Sequence, residues 1–422
     1  MNLFREMQKP RFFIFNTGCI RRAMDVIHIQ RYLEENDWIL TKRLNKAEMI
    51  IIATCGVVRL NEISSLKAIA LAEKKKKPGS RIVVTGCLPK INKKEIDMLG
   101  KFIMVPVDEL WRLDSIISAR IPFSAIESPD SIIDNSYITN YLIARSFCRK
   151  NKLYKSLFYR FSLNDRFLSF SVSANKTIQH LKSIVSGSRE RSVVPYFNIN
   201  ISSGCLSKCS FCATKQATGR LQSRRPDEII KDFKRGLSKG YKIFQLIAED
   251  TGCYGFDINT DLADLLRKIF AIKDDYKLII IDCNPQWLIK LRHKLIPLLI
   301  EQQDRIQEIF IPIQSGSDRI LKSMRRKYTS EDIAKIVKEL RQHAPAIAIR
   351  TSFIVGYPGE TEEDFLKTRK FISENEFFEV TINRYEDRPG TLSSKMNEKV
   401  PGEIIEERAL ILSRELGCHI LS

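Results

Sequence analysis

Apolar residues along this chain fall into short dense runs, separated by longer stretches whose apolar positions recur with helical spacing. Residues 12–15 (FFIF), 49–53 (MIIIA) and 82–84 (IVV) have the length of strands. Residues 22–36 and 62–76, between them, have the spacing of helices. A strand–helix–strand order of this kind favours a parallel α/β layer, because a parallel pair needs a crossover and a helix supplies one. The run Lys74 to Lys77 ends at Pro78-Gly79 and reads as a solvated helix end followed by a turn.

The periodicity lapses over 120–192, where Ser, Asn and basic residues interrupt it. From about residue 195 the α/β rhythm resumes. Strands are predicted at 196–201, 243–247, 277–281, 308–312, 347–354 and 378–385, and helices at 226–239, 260–272, 287–301, 329–343 and 361–375. Six strands alternating with helices suggest a barrel or part of one, and such sheets place their sites at the C-terminal ends of the strands. The chain thus divides into an N-terminal parallel α/β sheet domain over 1–118, a basic insert over 119–192 and a second α/β part over 193–422.

Composition narrows the partners. The 422 residues include 69 Lys plus Arg against 50 Asp plus Glu, a net charge of +19, and 44% are hydrophobic. That is enough apolar material for real cores, so a largely disordered chain is excluded. The basic balance suits RNA, DNA or an anionic surface and disfavours a strongly basic substrate. Within the insert, Arg145, Arg149, Lys150, Lys152, Lys155 and Arg160 are interleaved with Phe147, Tyr154, Phe158 and Tyr159. That mixture can bind nucleic acid, and it also fits a solvated linker helix.

There are ten cysteines. The N-terminus, MNLFREMQKPRFFIF, lacks the apolar stretch of a secretion signal, and no run approaches the 18 or so apolar residues of a membrane span. The expected place is therefore a reducing cytosol, away from membranes, where clustered cysteines mean metal or redox chemistry.

Directly after the 196–201 strand comes SSGCLSKCSFC, which places Cys205, Cys209 and Cys212 in a C-x3-C-x2-C pattern. Three thiolates so spaced can hold three irons of a 4Fe-4S cube and leave the fourth iron open to a small ligand. Structural zinc wants four ligands, usually as paired C-x2-C units, and no matching pair follows nearby. Lys208, between the cysteines, could tune the potential of such a cluster. Cys19, Cys55 and Cys87 each follow one N-terminal strand (FFIFNTGC, MIIIATC, RIVVTGC). A parallel sheet would bring them to one edge as a second metal site, although cysteine is also a common core residue. Cys148, Cys253, Cys283 and Cys418 have no such setting and read as core or incidental, with Cys253 the doubtful one.

The cysteine motif, with an aromatic residue before its last Cys, resembles the radical S-adenosylmethionine (SAM) superfamily. The stretches IPIQSGSDRILKSMRRKYT (311–329), TSFIVGYPGETEEDF (351–365) and RPGT (388–391) narrow this to the methylthiotransferases that modify tRNA or a ribosomal protein. The resemblance runs in order along 195–405, with a weaker match over 11–100. It implies a partial (β/α)6 radical SAM barrel after the N-terminal domain. It also implies two 4Fe-4S clusters, one on Cys205, Cys209 and Cys212 and an auxiliary one on Cys19, Cys55 and Cys87. SAM would chelate the open iron of the first. Residues at other strand ends would hold the rest of SAM: Glu249, Asp250, Gln314, Ser315, Arg350 and Gly356. In the Gly356-Tyr357-Pro358-Gly359-Glu360 turn, glycine would let backbone approach the cofactor.

The chain departs from the family pattern in places. Lys215 and Thr218-Gly219 stand where Pro and Arg-Gly are usual, although Ser223-Arg224 are kept. Ala53-Thr54-Cys55 replaces Asn-Thr-Cys, Glu249-Asp250 replaces Gln-Asp, and Ser352 replaces an Asp. The family usually carries a C-terminal RNA-binding β-barrel, the TRAM domain. Here about twenty residues follow Val400-Pro401, so that anchor is not expected.

The expectation is an enzyme that inserts a methylthio group at an unactivated C–H. One SAM would methylate a sulfide of the auxiliary cluster, and a second would yield the 5′-deoxyadenosyl radical. A tRNA adenosine is the expected substrate and a protein or peptide side chain the alternative. A low-potential donor such as flavodoxin or ferredoxin would supply electrons. A one-cluster radical enzyme without methylthiolation, or a noncatalytic RNA- or iron-binding relic, stays open at this point.

Overall fold

A computed structural model describes residues 9–127 and 196–421. The basic-aromatic stretch at 145–160 and Cys148 lie outside the described residues. The chain divides into two compact units at the Pro195–Tyr196 boundary.

The first unit holds a five-stranded, wholly parallel sheet in the order β2-β1-β3-β4-β5. Its strands are β1 (Arg11–Asn16), β2 (Ile39–Leu40), β3 (Met49–Thr54), β4 (Arg81–Gly86) and β5 (Ile103–Pro106). Every residue of β3, and all but the first of β1 and β4, is buried. That burial accounts for the unbroken apolar runs, since a central parallel strand is covered on both faces. Helices α1 (Ile20–Glu35) and α2 (Arg59–Lys75) make the crossovers. Residues 120–126 pack onto α1: the Phe123 ring lies 4.4 Å from His28 and 5.2 Å from Tyr32, and Asn36 donates to the Ile121 carbonyl.

The second unit holds seven parallel strands in the order β14-β13-β12-β11-β10-β9-β6. They are β6 (Tyr196–Asn200), β9 (Ile243–Ile247), β10 (Lys277–Ile280), β11 (Ile306–Gln314), β12 (Ala348–Val355), β13 (Glu379–Arg384) and β14 (His419–Leu421). A small antiparallel ribbon, β7 (Ser202–Ser203) on β8 (Gln222–Ser223), stands beside this sheet. The helices are α3 (Pro226–Ser238), α4 (Leu262–Phe270), α5 (Pro285–Lys290), α6 (Arg292–Glu301), α7 (Ser330–His343), α8 (Glu362–Glu374) and α9 (Gly402–Leu416); short helical turns are left unlabelled.

Alternation along the strands separates two faces. Phe197, Ile199, Phe244, Leu246, Leu278 and Ile309 belong to one core with Phe233 of α3, Leu265 of α4 and Ile336 of α7. Each such side chain contributes about 1.5–3 kcal/mol when removed from water. Several of the intervening positions are polar, among them Asn198, Gln245, Glu308, Arg350 and Thr381, while Ile279 and Phe310 are apolar. The sheet therefore has one face built for packing and another that carries hydrogen-bonding groups.

All six strands predicted for this unit form. The single helix predicted at 287–301 is two, α5 and α6, because the backbone of Leu291 (φ −97°, ψ 11°) leaves the helical range between them.

Candidate metal centres and cofactor site

The C-x3-C-x2-C loop leaves the sheet after β6 and is closed at its base by the β7–β8 ribbon, in which Ser202 pairs with Ser223. Gly204 opens the loop at φ +73°, where a Cβ would stand 2.0 Å from the Arg220 carbonyl oxygen, so no other residue fits. Its N–H donates to Glu249 Oε2 at 2.9 Å. The Ser207 N–H donates to Cys205 Sγ at 3.2 Å. The Ser210 N–H donates to the Met324 carbonyl at 3.1 Å, and its hydroxyl meets the Tyr357 hydroxyl at 2.7 Å. Lys215 Nζ, at a position where the family has another residue, donates to the Ser207 carbonyl at 2.8 Å. The loop is thus tied to the segment after β11 and to the turn after β12.

The three thiols act on one another. Burial pushes Cys209 up to about 11, with the thiols of Cys212 and Cys205 adding to the shift and the Arg326 guanidinium opposing it. Cys205 is held low, chiefly by a hydrogen bond from the Cys253 thiol, which is pushed up in turn. Asp250 sits beneath this pair, 2% exposed. Its carboxylate accepts from Trp287 Nε1 at 2.7 Å and from the Asn284 and Gly252 N–H groups at 3.2 Å each, and Cys205 Sγ lies 3.5 Å away. Burial holds this carboxyl above its ordinary value.

Cys19, Cys55 and Cys87 follow β1, β3 and β4, which are neighbours in the sheet. The register pairs Asn16 with Ala53 and Thr54 with Gly86, so these three strands end nearly level. Gly86 turns the chain at φ +98° where a Cβ would lie 2.2 Å from the Thr54 carbonyl oxygen, and the Cys87 N–H then donates to that oxygen at 3.0 Å. Ser65 of α2 receives the Cys55 N–H at 3.0 Å, and Asn61 Nδ2 reaches Cys55 Sγ at 3.5 Å. Burial pushes the Cys87 thiol up to about 12; Arg22 opposes this, while Cys55 and Cys19 reinforce it. Strand ends far apart in sequence are therefore brought within electrostatic reach of each other.

The spread of the thiols bears on which metal group fits. Two sulfurs on one zinc ion stand no more than about 4.6 Å apart. Among the described residues, the one set of three candidate ligand atoms within 4.8 Å of each other is Cys205, Asp250 and Cys253. Neither cysteine trio converges on a single ion. Thiols that act on one another without all meeting at one point are compatible with separate corners of a cluster.

The residues expected around SAM divide. Gln314, at the C-terminal end of β11, is 7% exposed and has a backbone φ of +79°, unusual for a residue with a side chain. Its Oε1 is buried with no hydrogen-bond partner among the described residues. A buried orphan acceptor in a strained backbone at a strand end suits a ligand site. Glu249 lies beside the cysteine loop, and Asp250 beneath it as a support for Cys205. Ser315 is engaged in the turn, where its hydroxyl meets Thr368 and accepts from the Ser317 N–H. Gly356 is overlaid by α9: a Cβ would lie 2.3 Å from Ile405, so the close approach that needs glycine there is made by a helix. Arg350 is the third residue of β12, near the end of the strand away from the loop. It is held by Glu308 at 2.9 Å and Glu379 at 2.6 Å. These ion pairs hold it in the sheet, at the end of the strand away from the cysteine loop. Arg326 was missed. Its guanidinium acts on Cys209 and Cys212 and lies 5.6 Å from the Phe211 ring. The signal was Met324-Arg325-Arg326, inside the motif at 311–329.

The chain matches the Radical SAM superfamily over residues 199–372 and the family described as "Uncharacterized protein family UPF0004" over 11–105. It is 33% identical over 412 residues to a probable threonylcarbamoyladenosine tRNA methylthiotransferase of Archaeoglobus fulgidus, covering 96% of this chain and 84% of that one. It is 28% identical to the ribosomal protein uS12 methylthiotransferase RimO of Carboxydothermus hydrogenoformans, covering 94% and 80%. Its fold is similar to that of the radical SAM methyltransferase TsrM from Kitasatospora setae (TM-score 0.59, 13% identity, 92% of this chain and 77% of that one). With relatives at this identity along nearly its whole length, and with both family models matched in order, the chain belongs to the radical SAM methylthiotransferases, whose cofactors are SAM and 4Fe-4S clusters.

Proposed function

We propose that this enzyme inserts a methylthio group into a threonylcarbamoyladenosine of tRNA. The observation that carries this reading is that three relatives at 30 to 33% identity, each aligned over 96% of the chain, are named as acting on that nucleoside. The net charge of +19 supports an RNA substrate. A base in a single-stranded anticodon loop can be splayed out and taken into a pocket, which suits chemistry at one of its carbons.

Cys205, Cys209 and Cys212 would hold the cluster that binds SAM, and Cys19, Cys55 and Cys87 the auxiliary cluster. When bound, these groups supply the electron for reductive cleavage of SAM and the sulfur that is transferred. An unactivated C–H is far too weakly acidic for a side-chain base, which is why a radical is required. The protein's own part is placement. Asp250, Trp287 and Asn284 support the loop from below. Gln314 offers an amide oxygen to a donor on SAM, and Arg326 offers a cation to its carboxylate. The reaction belongs in a reducing cytosol with a low-potential donor such as flavodoxin or ferredoxin.

Nucleoside mass spectrometry of tRNA from cells with and without the protein tests the substrate. Loss of the methylthio form, with threonylcarbamoyladenosine retained, is expected. Unchanged tRNA nucleosides, together with a loss of mass on a ribosomal-protein peptide, would replace tRNA by protein as the substrate.

A further inference from the structure

Cys253 has no task in holding either cluster. It ends the short helical turn Thr251–Cys253, which follows β9 as the cysteine loop follows β6. Those strands are neighbours, with Asn200 paired to Ile247, so the two segments leave the sheet side by side. As a result the sulfurs of Cys205 and Cys253 and a carboxylate oxygen of Asp250 all lie within 4.8 Å of one another. Asp250 is a poor third ligand for an ion. Its oxygens already accept from Trp287 Nε1 and from the Gly252 and Asn284 N–H groups, and a cation would have to displace those donors. That leaves two thiols beside each other. Cys253 is fully buried, its sulfur 3.2 Å from the Asp250 carbonyl oxygen, whereas Cys205 is partly exposed. Closing such a gap to a bond of about 2 Å takes only side-chain rotation and a small loop movement. The motif itself holds an odd number of thiols. Any two of them can pair, and the third then needs a partner from outside.

We propose that Cys205 and Cys253 form a reversible disulfide when no cluster is bound, a modification site that keeps the first cysteine of the motif from irreversible oxidation. The inference rests on the reading that Cys205, Cys209 and Cys212 hold a cluster. The oxidant is a peroxide. The thiolate of Cys205, the more exposed of the pair, attacks one oxygen of hydrogen peroxide. The O–O bond breaks, leaving a sulfenic acid and a hydroxide that takes up the Cys205 proton as water. The Cys253 sulfur then attacks the sulfenic sulfur, and its proton leaves with the hydroxyl as a second water. Two thiols thus lose two electrons and one peroxide becomes two waters. Without Cys253 the sulfenic acid is open to a second peroxide, which yields the sulfinic acid and ends the use of that sulfur as a ligand. A small thiol reverses the disulfide by exchange, so the site can be filled again.

The test uses the full chain, stripped of iron by a chelator under reducing conditions and freed of small thiols. Hydrogen peroxide is added, the thiols are blocked with iodoacetamide in denaturant, and peptides are read by mass spectrometry without reduction. A Cys205 peptide joined to the Cys253 peptide is expected as the main product of Cys205. Cys253→Ser, which keeps the volume of the side chain, is expected to leave Cys205 as sulfinic acid. After treatment with dithiothreitol, the parent should take up about eight irons and the oxidised variant about four. Circular dichroism of the variant before oxidation checks its fold, and Cys283→Ser, a change at another buried cysteine, should behave as the parent does. Cys205 joined chiefly to Cys209 or Cys212, or equal recovery of iron in parent and Cys253→Ser, would overturn the proposal. The ligand reading is tested apart from it, by the iron content of an unoxidised Cys205→Ala variant. Iron equal to that of the parent would refute that reading and remove the protective role, even with the disulfide formed.

Discussion

Arg408 of α9 is paired with Glu360 in the turn after β12, and this pair gives a prediction whose size depends on pH. Glu360 is 5% exposed. Its Oε2 accepts from the Gly356 N–H at 2.6 Å and from Arg408 Nη1 at 2.8 Å. Burial pushes the carboxyl up to about 7 from an ordinary 4.5, although Gly356 and Arg408 pull it down. A carboxyl raised in this way takes up a proton on folding. Its contribution to stability is fully present below pH 4.5 and is lost as pH rises through about 7. The gap is worth roughly 3 kcal/mol. Arg408→Met keeps an unbranched apolar stem and removes the guanidinium. At pH 8.5 it leaves a carboxylate buried without its cation, a loss of about 3–5 kcal/mol. At pH 5.5 Glu360 is largely neutral, and the loss falls to about 1 kcal/mol for hydrogen bonds and packing. Pulse proteolysis in urea, under anaerobic conditions at both pH values, reads the difference. Destabilisation of the same size at the two pH values would refute the reasoning, and Glu360→Gln with Arg408→Met should abolish the pH dependence.

Three further outcomes are expected. After anaerobic reconstitution the chain should hold about eight irons, and the Cys205, Cys209, Cys212 triple Ala variant about four, measured by iron and sulfide analysis; about four falling to none would mean a one-cluster enzyme. Gln314→Leu removes a buried orphan acceptor, so it should raise stability without SAM by about 1–2 kcal/mol while weakening SAM binding in equilibrium dialysis; unchanged SAM affinity would remove Gln314 from the site. Trp287→Phe deletes the donor to buried Asp250 and should destabilise the second unit by about 1.5–3 kcal/mol in a urea melt, with faster loss of iron in air; wild-type behaviour in both would mean that Asp250 does not support the loop.

Strand positions were legible because buried parallel strands leave dense apolar runs that polar helix faces interrupt. β2 and β5 escaped because two and four residues carry no period, and β14 because three residues carry none. The gathering of Cys19, Cys55 and Cys87 followed from parallel order alone, since each ends a strand and the three strands are neighbours. Which end of a strand a side chain occupies was harder to read. Arg350 belongs to β12 as expected, but its two carboxylate partners come from β11 and β13, and no local pattern reveals a cross-strand pair. Gly356 signalled a close approach without saying by what, and Ile405 lies on a helix that sequence periodicity did not single out. Arg326 was hidden for the opposite reason, being one of many basic residues in a chain with a net charge of +19.

The two cysteine trios differ in how they are assembled. Cys205, Cys209 and Cys212 share one loop, so bringing them together closes only short stretches of chain, at small entropic cost. Cys19, Cys55 and Cys87 come from three strand ends and approach each other only after β1, β3 and β4 have paired. A metal group that binds there binds folded sheet and not unfolded chain, so its binding energy adds to the stability of that sheet. A metal group held by the strand-end trio would therefore have to await folding of the first unit, and its loss would cost that unit stability.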